Sequence, residues 1–447
     1  MILGPTFSEM RDPTLLPEEL RAQVRAADPL DPVRLFDVRW MEDNGEVQGW
    51  LVPPELTGID APIAVLLGSR FPTGSHKVGA AYSCVVERQL TGTLDTNEHT
   101  LVFPSTGNYG IGGAWVGPRM GYRSLVVLPE EMSAERFEMI KGYGADIVAT
   151  PGSESNVKEI YDEVKRLRKR PEIRVLNQFE EWGNYRFHHG VTSHAAEQLS
   201  KQLGYGGRVA AFVSAMGSSG TIGAGDRLKT TQDTRIVGLE PIQCPTLYNV
   251  GYGAHRIEGI GDKHVTWIHN VLNMDLLCCI DDEACVRGLQ MLQEGAEVLT
   301  QELGLDTEAA SGWLGRLGVS GLCNLLGAMK SAKHFGLGKD DLVVTLATDG
   351  FDRYPSVLRL LEQREGPQSR EVTLRRLQEF QAIDDDWLLE GNDTARLRWH
   401  NQKYFTWVEQ QGKNVAELDA LKSQAFWEDQ AGRIEEVDAA ILAARSA

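Results

Sequence analysis

Three segments of this 447-residue chain carry side chains and turns able to do chemistry. The first, Ser214-Ala-Met-Gly-Ser-Ser-Gly-Thr-Ile-Gly223, follows an apolar run and opens a helical one. Such a turn aims backbone N–H groups, with the hydroxyls of Ser218, Ser219 and Thr221, at one point beside a helix N-terminus. That point suits a phosphate. A tight turn with no ligand has the same composition; a dinucleotide loop needs Gly-x-Gly-x-x-Gly and a Walker loop needs a following lysine, and neither is present. The second segment, Pro104-Ser-Thr-Gly-Asn-Tyr-Gly110, sets hydroxyls, glycine amides and Asn108 where a helix should start. It can hold a carboxylate and offer a side-chain N–H to a phenolic oxygen, or it can be a plain cap, for which Ser and Asn are preferred. The third, Phe71-Pro-Thr-Gly-Ser-His-Lys-Val-Gly-Ala80, places Lys77 before small and apolar residues. A lysine is usually solvated. Here small neighbours would let a flat ligand approach, and burial would lower the amine pKa toward the range where it forms an imine and moves protons.

These segments need a scaffold, and the pattern between Thr100 and Pro241 supplies one. Short β-rich runs alternate with amphipathic stretches, as in a parallel sheet with helices on both faces. Strands are expected at Thr100–Phe103, Ser124–Leu128, Asp146–Thr150, Val175–Phe179, Val209–Ser214, Ile236–Glu240 and Leu342–Leu346. Helices are expected at Ser133–Tyr143, Glu154–Lys169, Val191–Leu203, Asp281–Leu303 and Ser320–Phe335. The fold class is doubly wound α/β. A polar stretch with Gly-Pro, Glu362–Glu371, marks a boundary. The tail beyond it shows no strand-like alternation but holds four of the ten tryptophans, so it should be three or four packed helices.

Composition excludes several classes. Lys and Arg total 45 against 63 Asp and Glu, a formal charge of −18, which repels nucleic-acid backbones and anionic lipid. The tail follows suit, with nine basic and fifteen acidic side chains after Arg370. No run of about 18 apolar residues could span a membrane. The first residues lack a basic region followed by an apolar stretch, so a cytoplasmic location is expected. Six sparse cysteines match no metal or Cys-x-x-Cys spacing and read as buried free thiols; no metal is expected.

In their order, the three segments resemble the fold-type II pyridoxal-phosphate enzymes, specifically the cysteine synthase and cystathionine β-synthase family. Ser75-His76-Lys77 is similar to the family's Schiff-base Ser-x-Lys, and Ser105-Thr-Gly-Asn-Tyr-Gly110 to its Thr-Ser-Gly-Asn-Thr-Gly loop. Gly217, Ser218, Ser219, Gly220 and Thr221 stand where the family has Gly-x-Gly-Gly-Thr. The stretches Arg119–Ser133, Tyr143–Pro151 and His255–Gly261 are also close to the family's wording, and the likeness runs over roughly residues 60–360.

The resemblance implies a two-domain, tryptophan-synthase-β-like fold with parallel sheets and a helical C-terminal extension. Residues 1–80 and 206–365 would form the cofactor-binding domain, 81–205 a smaller domain with the Asn108 loop, and 371–447 the extension. Pyridoxal 5'-phosphate would be held covalently by Lys77, which would also remove the substrate's Cα proton. Asn108 would bond the ring hydroxyl and the Gly217–Thr221 turn the phosphate. Ser105, Thr106, Gly107 and Tyr109 would hold a small amino-acid substrate. The implied reaction is β-replacement through an aminoacrylate, with β-elimination of the cysteine desulfhydrase kind, a serine or threonine dehydratase, and a regulatory homologue as alternatives. A homodimer is implied as well.

Several departures bear on that choice. Tyr109 replaces a threonine and adds bulk to the substrate loop. His76 resembles tryptophan synthase β chains and either contacts the phosphate or packs as a hydrogen-bonded histidine. The family's Gly-Ile-Ser-Ser-Gly-Ala is shortened to Gly318–Cys323. In Leu346-Ala-Thr-Asp-Gly350 either Thr348 or Asp349 takes the place of the serine that bonds the pyridine nitrogen. A hydroxyl leaves that nitrogen neutral and a carboxylate keeps it protonated; Thr348 is preferred on its chemistry.

Overall fold

A computed structural model describes residues 1–105, 107–152 and 157–446. Two sheets carry the described strands. β1 (Gly49–Leu51), β2 (Ile63–Leu67), β7 (Ala211–Ala215), β8 (Arg235–Pro241), β9 (Leu276–Ile280), β10 (Val343–Ala347) and β11 (Leu388–Glu390) form one sheet in the order β1-β2-β10-β7-β8-β9-β11. Its five inner strands are parallel and both edges antiparallel. The other sheet, all parallel, takes β3 (Thr100–Pro104), β4 (Arg123–Pro129), β5 (Asp146–Thr150) and β6 (Ile173–Val175) in the order β5-β4-β3-β6. β2, β7, β9 and β10 are buried at every residue, the continuous apolar run of strands covered on both faces. Periodicity of two is absent from such strands, which is why β2 and β9 escape a reading based on alternation.

Four expectations are corrected. β6 lies at Ile173–Val175, ahead of the expected Val175–Phe179, because Asn177 turns the chain: its carbonyl accepts from Glu180 and Glu181 N–H, and its side chain from Phe179 N–H. The helix expected over Asp281–Leu303 is two, Asp282–Glu294 and Ala296–Leu303, divided at Gly295. A Cβ on Gly295 would fall 2.7 Å from Thr373 Cγ2, so the glycine admits the tail there. The helix expected over Val191–Leu203 is the last part of a longer one: α-helix Trp182–Phe187 runs through a π-helical turn, His188–Thr192, into Ser193–Gln202. The tail does contain a strand: β11 lays three residues antiparallel along the otherwise open edge of β9, too short to show alternation. Residues 154–156 of the expected Glu154–Lys169 helix lie outside the described residues, and the helix runs Val157–Leu167.

Four helices make up the rest of the tail: Arg370–Gln381, Asp393–Trp407, Val415–Ala420 and Gln424–Ser446. The last one reaches back to the N-terminus. Asp438 Oδ1 accepts from Phe7 N–H at 2.6 Å, and Arg445 pairs with Glu9 at 2.7 Å. All six cysteines are buried free thiols.

Candidate active site

Lys77 is the first residue of the helix Lys77–Leu90. The segment before it is stitched to the end of β10 by a bridge between Ser75 and Asp349. From there the amine reaches the turn after β7, where Lys77 Nζ lies 3.3 Å from Ser218 Oγ. That turn is tightly specified. Ser219 holds the left-handed region at φ 61°, an arrangement that costs a non-glycine residue on the order of 1 kcal/mol. A Cβ on Gly217 would fall 2.6 Å from the Gly259 carbonyl oxygen, and one on Gly220 would fall 2.1 Å from Asn184 Oδ1. Asn184 Nδ2 donates to Ser218 Oγ at 3.0 Å, and the hydroxyls of Ser214 and Thr221 meet at 2.6 Å. The helix Ile222–Gln232 begins directly after Thr221, so the positive end of its dipole adjoins the turn.

The loop after β3 approaches from the other sheet. Ser105 N–H donates to the Val127 carbonyl, and Gly107 N–H to Ser105 Oγ at 3.0 Å. Gly107 must lack a side chain, since its Cβ would sit 2.5 Å from Arg136 Nη1. Thr106 lies outside the described residues. Asn108 opens the helix Asn108–Arg119, and its Nδ2 donates to Asp349 Oδ2 at 2.6 Å across 241 residues of sequence. Thr348 stands beside it with its carbonyl packed over Gly68.

Two single residues take core positions. Tyr109, one helical step of ~100° from Asn108, is 1 % exposed, its ring edge-on to Phe103 at 5.8 Å. His76 is packed, stacked on Trp40 and edge-on to His188, but neither ring nitrogen has a hydrogen-bond partner among the described residues. Burial holds it neutral, far below the usual histidine range, with the Lys77 charge acting in the same direction.

Spacing in the sequence missed a set of buried charges around Asn108. Its Oδ1 accepts from Arg136 Nη1 at 3.1 Å and from Arg353 Nε at 3.0 Å. Arg136 Nε donates to Glu258 at 2.6 Å and Nη2 to the Tyr354 hydroxyl, which in turn donates to Asp349 Oδ2. Arg136, Arg353 and Asp349 are fully buried, and Asp349 Oδ1 has no partner among the described residues.

Asp262 was also missed. Burial pushes its carboxyl up to about 7, opposed by the Lys77 charge. Because the folded value lies above the unfolded 3.8, the stability this group contributes is fully present below about 4 and lost as pH rises to about 7. Asp262→Asn is expected to flatten that part of the stability curve, read from thermal unfolding across the range.

The sequence signature of the family described as Pyridoxal-phosphate dependent enzyme matches residues 54–349. The Bacillus subtilis protein named probable cysteine synthase is 31% identical over 291 residues, covering 64% of this chain and 85% of that protein. Among solved structures, the O-acetylserine dependent cystathionine beta-synthase from Helicobacter pylori is 25% identical with a TM-score of 0.59, over 69% of this chain and 94% of that one. The cysteine synthase from Entamoeba histolytica shares the fold at 22% identity, with a TM-score of 0.61 over 75% of this chain and 92% of that one.

Proposed function

Since this chain belongs to the family of pyridoxal-phosphate dependent enzymes, we propose that it exchanges the β-substituent of a small amino acid, the reaction class of a cysteine synthase. The observation that carries the reading is the Lys77 amine poised 3.3 Å from Ser218 Oγ in a turn built for an anion. An amine, an anion-holding turn and a buried carboxylate oxygen with no partner fit the aldehyde, phosphate and ring nitrogen of the cofactor. In this reading Gly217, Ser218, Ser219, Gly220 and Thr221 hold the phosphate and Asn108 the ring hydroxyl. Asp349, ahead of Thr348, meets the ring nitrogen, supported by its contact with Asn108.

When bound, the cofactor supplies an electron sink for charge left at the substrate's Cα. The protein does the rest. Ser105, Thr106 and Gly107 hold the substrate carboxylate, and Lys77 Nζ takes and returns the Cα proton. The sheet of β3 to β6 would belong to a smaller domain, residues 81–205, with 1–80 and 206–365 as the cofactor-binding domain and 371–447 as the extension. Among the described residues no helix is long and apolar enough to cross a membrane. A cytoplasmic homodimer completes the reading.

Product analysis tests the reading. With O-acetylserine and sulfide, the expected product is cysteine with sulfide consumed. Sulfide released from cysteine, or keto acid formed without sulfur, would transfer the assignment to elimination or dehydration.

A further inference from the structure

We propose that the helix Asp393–Trp407 is a positioning element of the cofactor site, acting through Lys403 and Trp407, with Trp399 on the same face, on the segment that backs the phosphate turn. The helix lies beyond the family match, which ends at residue 349. Its three residues are spaced by four, so they share one face. All three are fully buried. Each spends polar hydrogens on backbone carbonyls, Trp399 on one in the short helix Thr246–Asn249 and the other two on irregular chain. Trp399 Nε1 donates to Leu247 at 3.1 Å and Trp407 Nε1 to Val265 at 2.8 Å, while Lys403 Nζ donates to Trp267 at 3.0 Å and His269 at 2.6 Å.

The carbonyls of Val265 and Trp267 flank Thr266, whose Oγ1 donates to the Ser218 carbonyl at 2.9 Å. Ser218 is the residue that Lys77 and Asn184 also reach. The tail is therefore one residue removed from the turn. Buried carbonyls outside regular elements need donors, and no neighbouring strand serves this segment. A lysine is an unusual choice for a dry interior; here it serves two carbonyls at once, that of Trp267 and that of His269, which also accepts from Val271 N–H. Burial lowers its pKa to about 7. A neutral amine still keeps two N–H groups, one for each carbonyl, so the anchor does not depend on the charge. Trp407 adds ring contact to Trp267 at 5.8 Å, and Trp427 of the last helix lies over the Lys403 ammonium at 5.7 Å.

The inference rests on the reading that this turn holds the cofactor phosphate, and the test separates the two. The full-length apoprotein is titrated with pyridoxal phosphate and with pyridoxal, which lacks the phosphate, following cofactor absorbance and fluorescence. Wild type should prefer pyridoxal phosphate. Lys403→Met should bind pyridoxal phosphate at least tenfold more weakly and pyridoxal with unchanged affinity, because only the phosphate grip is disturbed. Trp407→Phe, which loses one N–H and keeps most of the ring, should show the same selective loss to a smaller degree and serves if Lys403→Met does not fold. Unchanged affinities, or equal weakening for both ligands, would overturn the positioning role. A wild type that binds the two ligands equally would instead remove the phosphate assignment of the turn, and the inference with it.

Discussion

Lys77→Ala is expected to lower turnover by about 10³-fold or more while leaving the protein folded, since in the proposed function one amine both holds the cofactor and moves the Cα proton. The substitution is mild for the scaffold. Lys77 is the first residue of its helix, and alanine is the strongest helix former. Its Nζ gives up a contact of 3.3 Å to Ser218 Oγ, a hydroxyl that still accepts from Asn184. The turn of Gly217 to Thr221 therefore survives, and it should retain pyridoxal phosphate without a covalent bond. Borohydride treatment followed by peptide mapping reads this directly. A cofactor adduct is expected on the peptide bearing Lys77 in the wild type and on none in the variant. Turnover near the wild-type level in the variant would end the mechanism.

Asp349→Ala should be the most destabilising single change at the site, by about 3–5 kcal/mol, because it strands buried positive charge. The carboxylate accepts from Asn108 at 2.6 Å and from the Tyr354 hydroxyl at 2.9 Å. Two fully buried guanidiniums lean on it as well, Arg136 at 3.7 Å and Arg353 at 3.9 Å. Glu258 compensates the first and Asp352 the second only in part, from more exposed positions. Asp349→Asn keeps the shape and removes the charge, so it should cost less than the alanine variant. It also discriminates at the ring nitrogen: Asp349→Asn should shift the absorbance of the bound cofactor, and Thr348→Ala should not. Urea unfolding measures the first effect and a spectrum of the loaded protein the second. A shift confined to Thr348→Ala would return the nitrogen to the hydroxyl.

The two ends of this network lie far apart in the chain, which is why it could not be read from spacing. Asn108 and Asp349 are 241 residues apart and Arg136 and Glu258 are 122 apart. Each looks locally like a helix start or a loop charge, and only the approach of the two sheets turns them into mutual partners. Asp349 illustrates the point. Side-chain chemistry alone preferred Thr348, whereas the Ser75–Asp349 bridge turns the carboxylate toward Asn108. Tyr109, in the same motif as Asn108, packs its ring in the core against Phe103, a placement the motif does not reveal.

What the linear chain determined by itself was everything local. Glycines and hydroxyls at a strand-to-helix turn, a lysine ahead of small residues and the order of the three motifs are properties of neighbours along the backbone, and they sufficed for the family and the α/β architecture. Tertiary structure alone decided which charges face one another, where β11 finds an edge, and that Lys403 is spent on two carbonyls behind the phosphate turn. The reason is physical: a turn is set by the steric limits of a few consecutive residues, whereas a buried ion pair or an edge pairing exists only after distant elements have packed and excluded water between them.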